Sequence, residues 1–95
     1  MPPAMLASLM RRGDAMFALG DVSAARRLYE RAATAGSGSA ATAAGRTFDP
    51  AVLAAMQAPP SLADPGAAAG WYRKAILLGD REAEALLARL MAGNQ

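Results

Sequence analysis

The chain has no histidine and no cysteine. The first absence removes the commonest general base and the commonest metal ligand together; the second excludes disulfides and thiolate chemistry, and with them any reading of redox compartment. Valine and isoleucine are almost missing, so no stretch reads as a β-strand. Aromatic residues make up only 5% of the chain, and the basic residues include a single lysine beside nine arginines. No apolar run approaches the roughly 20 residues that a membrane span requires. The first residues, MPPAMLASLMRRG, place their arginines after the apolar stretch, the reverse of a secretory signal. The expectation is a soluble, cytoplasmic protein with no nucleic-acid and no membrane partner. Ten basic residues stand against eight acids, a formal net charge of +2, and they are spread along the whole chain, which reads as a solvated mixed-charge surface.

What is present is alanine, 26 of the 95 residues. Alanine, leucine, arginine and methionine together favour helix on intrinsic propensity, and an alanine-rich interior is built from helices that approach closely. The punctuation is regular. A first helix is expected from Pro3 to about Leu19, with Leu6, Leu9, Met10, Met16 and Phe17 along one stripe. Asp21 caps a second, which carries Val22, Ala25, Tyr29 and Ala32 on one face and turns Arg26, Arg27, Glu30 and Arg31 mostly to water. Gly36 ends it, and Ser37 or Ser39 caps a third helix reaching about Thr47. Asp49-Pro50 and Asp64-Pro65 each start a helix by one device, an aspartate cap followed by proline at the first helical position. The first of these is short, about Pro50 to Gln57; Ala58 to Ala63 reads as loop. The second runs to Gly79. Asp80 caps the last helix, with Ala83, Leu86, Leu87, Leu90 and Met91 as its stripe.

Two segments repeat each other without a gap. Ala25, Tyr29, Ala32, Gly36 and Ala40 return as Ala68, Tyr72, Ala75, Gly79 and Ala83, an offset of 43 residues. A period in the range of about 20 to 50 residues marks an array of stacked units, none of which can bury its apolar face alone. A tyrosine that recurs at one place in such a repeat reads as core, although Tyr29, Trp71 and Tyr72 could also serve as binding aromatics.

These residues resemble the tetratricopeptide-repeat superfamily, and within it the Sel-one-like branch. Gly13, Ala25, Tyr29 and Ala32 match the small, small, aromatic and small positions of the tetratricopeptide helix pair. Ala68, Trp71-Tyr72, Lys74-Ala75, Gly79-Asp80 and Ala83 are similar to the Sel-one-like signature; in the first copy Leu28 stands for the tryptophan and Gly36-Ser37 for glycine-aspartate. The resemblance implies an all-α fold, a short right-handed α-solenoid of about five to six helices in one domain, residues 1–95. Repeat one would span about 3–36 and repeat two about 38–79, with an inserted loop at 49–64 and a terminal helix at 80–93. Gly13, Gly45 and Ala88 would be the equivalent small sites of successive A helices. The alanine and arginine bias also looks bacterial, of high genomic GC content.

In that family the A helices line a concave surface that holds a peptide or helix of a partner protein. Carried over by position, the partner-binding residues are Met10, Asp14, Phe17, Arg46 and Arg89. Asp14 in this groove argues against capture of a peptide C-terminal carboxylate. No catalytic residues, cofactor or metal are expected: Asp21, Asp49, Asp64 and Asp80 are accounted for as helix caps, and no glycine spacing forms a phosphate loop. The function expected is a non-catalytic adaptor or scaffold. The alternative is a self-associating spacer, a possible homodimer through the broad apolar stripe of the last helix.

Overall fold

The computed structural model describes residues 1–93, and among them every regular element is helical. Six α-helices follow in order: α1 (Pro3–Ala18), α2 (Val22–Thr34), α3 (Gly38–Phe48), α4 (Pro50–Ala55), α5 (Pro65–Leu77) and α6 (Glu82–Gly93), with a 3-10 turn at Pro60–Leu62. The expected boundaries hold to within a turn. α4 stops two residues early, where Gln57 takes a left-handed φ of 59°, and the stretch expected as loop contains the 3-10 turn.

Side-chain caps set these starts. Asp21 accepts from the Ala24 amide at 3.1 Å, Ser37 rather than Ser39 from Ala40 at 3.1 Å, Asp49 from Ala51 at 3.0 Å and Asp64 from Ala67 at 3.0 Å. Each satisfies an amide that the first helical turn leaves without an intrahelical partner. Asp80 does the same for Glu82 at 3.2 Å. Gly36 and Gly79, the matched residues of the repeat, both have positive φ, 105° and 95°, and each closes the helix before it in the left-handed conformation that only glycine adopts without penalty.

The helices pack in chain order, α1 on α2, α2 on α3 and α5 on α6, with α3 packing on α5 past the short α4. The short α4 and the 3-10 turn form a side excursion between α3 and α5. The core is largely alanine; Ala25, Ala32, Ala40, Ala68, Ala75 and Ala83 are each 0% exposed. These are the residues of the 43-residue repeat, so its matched alanines are the points where helix surfaces meet. Small side chains let helix axes approach, and the aromatic rings beside them fill what remains.

The closest of these approaches occurs twice. A Cβ added to Gly13 would lie 2.6 Å from Tyr29 Cε1, and one added to Gly45 would lie 2.5 Å from both Cδ1 and Cε1 of Tyr72. Each ring lies against the backbone of the helix that carries its glycine, α1 for Tyr29 and α3 for Tyr72, with no space for a methyl group. Both tyrosines are buried, so neither ring can swing aside.

One sequence expectation is corrected. Arg26 is half-buried rather than turned to water: its guanidinium lies 3.7 Å from the centroid of the Phe48 ring and donates to the carbonyls of Thr47 at 2.6 Å and Leu62 at 2.7 Å. Burial lowers its pKa from the usual arginine value, against the opposing fields of Glu30 and Asp64. The helical wheel places Arg26 on the outer side of α2, but the segment after α3 folds back beside that side and supplies acceptors that a wheel cannot show.

Gly45→Ala should destabilise the protein by about 2 kcal/mol, because overpacking of a closed contact exceeds the gain of up to about 1 kcal/mol in helix propensity. Gly70→Ala, in α5 where an added Cβ meets nothing within 4 Å, should instead stabilise by about 0.5–1 kcal/mol. Urea unfolding followed by circular dichroism separates the two; equal shifts would show that the glycine-ring contact is not tight.

Candidate functional site

α1 and α3 lie on the same side of α2, and the shallow trough between them is closed at one end by the start of α6. Its walls are Met10, Asp14 and Phe17 from α1, Ser39, Ala43 and Arg46 from α3, and Asp80 and Glu82 at the entry to α6, with Tyr29 of α2 as floor. The cleft encloses about 340 Å³. Four of the five residues expected to bind a partner, Met10, Asp14, Phe17 and Arg46, therefore come together. Arg89 does not join them. It lies 3.7 Å from the Asp49 carboxylate and lines a separate hollow with Pro50 and Leu90.

The geometry of the cleft follows from the two tyrosines. Tyr29 OH donates to Asp14 Oδ1 at 2.5 Å, one residue after the glycine that its ring covers. Phe17, one turn further along α1, meets the edge of Tyr29 at a centroid distance of 6.3 Å and an interplanar angle of 73°. In the second copy Tyr72 OH donates to Asp49 Oδ2 at 2.7 Å, four residues after its glycine. Asp14 lies within α1, whereas Asp49 lies just past the end of α3 and caps α4, so the two hydroxyls find a carboxylate near their glycine from different sequence positions. At the position corresponding to Asp14 the second copy has Arg46, which pairs with Glu82 across the cleft.

Asp49 was accounted for in the sequence as a cap. It is also the acceptor for Tyr72 and the counter-charge of Arg89, with a side chain only 1% exposed. Asp80 likewise does more than cap, since its Oδ2 accepts from the Thr42 hydroxyl at 2.6 Å and ties α3 to the entry of α6. Neither partnership has a local sequence signal; each joins residues more than twenty positions apart.

Burial and a carboxylate acceptor both favour the neutral phenol, with burial the larger effect, and push both tyrosines above their ordinary pKa of 10.0. Arg46 opposes this at both rings, and Arg89 at Tyr72.

Among the described residues no group of three or more acidic side chains is arranged to hold a metal ion, and no helix is long and apolar enough to cross a membrane. Comparison with protein-family models, with curated proteins and with solved structures finds no match.

The raised phenol pKa values fix the sign of a pH response. A proton held more tightly in the folded chain than in the unfolded one stabilises the fold fully below pH 10, and this stability is lost as pH climbs above 10 toward the folded-state values. Tyrosinate absorbance and helical ellipticity should therefore change together, in one steep transition above pH 10. Smooth ionisation of both tyrosines with the helices intact would show that the rings are not held as described.

Proposed function

We propose that this chain is a non-catalytic protein-interaction module that seats a peptide or a helix of a partner protein in the cleft between α1 and α3. The observation that carries the reading is the cleft itself. Met10 and Phe17 offer apolar surface beside the exposed polar groups of Asp14, Ser39 and Glu82, a mixture that suits an amphipathic side-chain row better than a small metabolite. The carboxylates around it already have structural work as caps, tyrosine acceptors or an ion-pair partner, which supports binding rather than acid-base chemistry.

We read the architecture as a short α-solenoid of the tetratricopeptide and Sel-one-like kind. Two features support this: the sequential packing of the helices, and the glycine-tyrosine contact that occurs once in each copy of the repeat. The cleft is then the concave face of the first two A helices, and residues 49–64 are an insertion carried on the side.

Random-peptide display on the purified chain tests the binding reading. Selected peptides should lose at least tenfold in affinity to Ser39→Trp, which fills the cleft from an exposed position and leaves helicity unchanged. Peptides that bind the variant equally, or no selected peptides at all, would overturn it.

A second reading, self-association through α6, is favoured by one observation. The residue of α6 that corresponds to Gly13 and Gly45 is Ala88, and it is exposed where the two glycines are covered; Met91 beside it is 41% exposed. If a second copy covers this face, light scattering over a dilution series will show a dimer that Ala88→Arg converts to monomer. A constant monomer mass for the unaltered chain would remove this reading.

A further inference from the structure

We infer that the cleft selects a segment with a lysine or arginine side chain next to an apolar residue; this rests on the interaction-module reading above. The argument is the charge arrangement along the groove. The apolar half of its lining, Met10, Phe17 and Ala43 on the α1 and α3 walls, is interleaved with a polar half that carries three carboxylates, Asp14, Asp80 and Glu82, against one guanidinium, Arg46; Asp14 stands between Met10 and Phe17 on α1. That guanidinium is already committed, because Arg46 pairs with Glu82.

The remaining two carboxylates are held rather than neutralised. Asp14 accepts a hydrogen bond from the Tyr29 hydroxyl, and Asp80 accepts from the Thr42 hydroxyl and the Glu82 amide. Each partner is uncharged, so it fixes the carboxylate in place and leaves its negative charge. Such an arrangement is preorganised for a cation and needs no rearrangement to receive one. An acidic side chain would meet Asp14 and Asp80 at close range and could gain a partner only by separating Arg46 from Glu82. The chain as a whole carries a net charge of +2, so any preference for basic ligands has to come from this local field and not from general attraction.

A long basic side chain also satisfies both halves at once. Its aliphatic stem lies along apolar surface while its charged head reaches the carboxylates. A neighbouring apolar residue on the same segment would take up the Met10 and Phe17 wall.

The test uses the peptides selected by display on the full chain and compares three forms of it. One is unaltered; the second is the double variant Asp14→Asn with Glu82→Gln; the third is Ser39→Trp. Asn at 14 can still accept from Tyr29, and Glu82 takes part in a solvent-exposed pair that contributes little to folding, so the double variant should keep its helicity. Enrichment of lysine or arginine beside an apolar residue is expected. Affinity should fall at least tenfold on the double variant and fall likewise between 0.1 and 1 M salt, where screening shortens from about 10 Å to about 3 Å. Peptides that are lost on Ser39→Trp yet show no basic enrichment, or bind the double variant as well as the unaltered chain, would overturn the charge selection while leaving the binding cleft standing. Peptides indifferent to all three forms would overturn both.

Discussion

The contact between a glycine and a tyrosine ring is the constraint on which the other features of this protein depend. With alanine supplying most of the interior, the helices have few bulky side chains with which to define their spacing. A ring laid directly on backbone sets that spacing at one point in each copy, at Gly13 with Tyr29 and at Gly45 with Tyr72. The hydroxyl then fixes the ring's rotation by finding a carboxylate close to that glycine, Asp14 within α1 and Asp49 just past the end of α3. Area burial alone would let the helices slide. The pairing of a steric stop with a directional hydrogen bond removes that freedom, which is what an alanine core cannot do by itself.

The two copies solve the same problem with different residues, and the difference creates the cleft. In the first copy the acceptor is Asp14, directly after the glycine, on the side of α1 that remains open. In the second copy the acceptor has moved to Asp49, which is buried where α3 gives way to α4. That move leaves the position after Gly45 without a structural duty toward the ring, and Arg46 occupies it. Arg46 reaches Glu82 and so ties α3 to the entry of α6. The open trough thus has one wall whose charge belongs to a tyrosine and another whose charge belongs to an ion pair. Its surplus of negative charge is a by-product of where each copy puts its acceptor.

Much of this was legible in the residues. The caps Asp21, Asp49, Asp64 and Asp80 and the closing glycines Gly36 and Gly79 act over three or four residues, and local chemistry of that range can be read directly. The repeat predicted the buried alanines and both buried tyrosines because a recurring spacing reports a recurring contact. Met10, Asp14, Phe17 and Arg46, which line one cleft, were located by position through the family resemblance and not by the repeat itself. The place of Arg26 was not legible, because its acceptors are the carbonyls of Thr47 and Leu62, and only the folding back of residues 49–64 brings Leu62 beside α2. Arg89 was placed by its offset from a small residue, but its guanidinium is drawn to Asp49, a buried carboxylate from a different part of the chain. In both cases a long side chain met an acceptor from a different part of the chain, and helical position alone does not encode where that acceptor is.

The side excursion between α3 and α5 is held at little cost in order. Its two ends are already anchored: Asp49 is held by Tyr72 and Arg89, and Asp64 donates its amide to the Phe48 carbonyl at 2.9 Å. The loop therefore starts and finishes at nearly the same place, and closing it adds only a slowly growing entropic term. Arg26 then fastens the far end, with its guanidinium on Phe48 and its hydrogen bonds to Thr47 and Leu62. Because Phe48 and Thr47 belong to α3 and Leu62 to the excursion, one cation joins α2, α3 and the excursion at once. Residues 49–64 are thereby kept on the side of the molecule, and the face between α1 and α3 stays open.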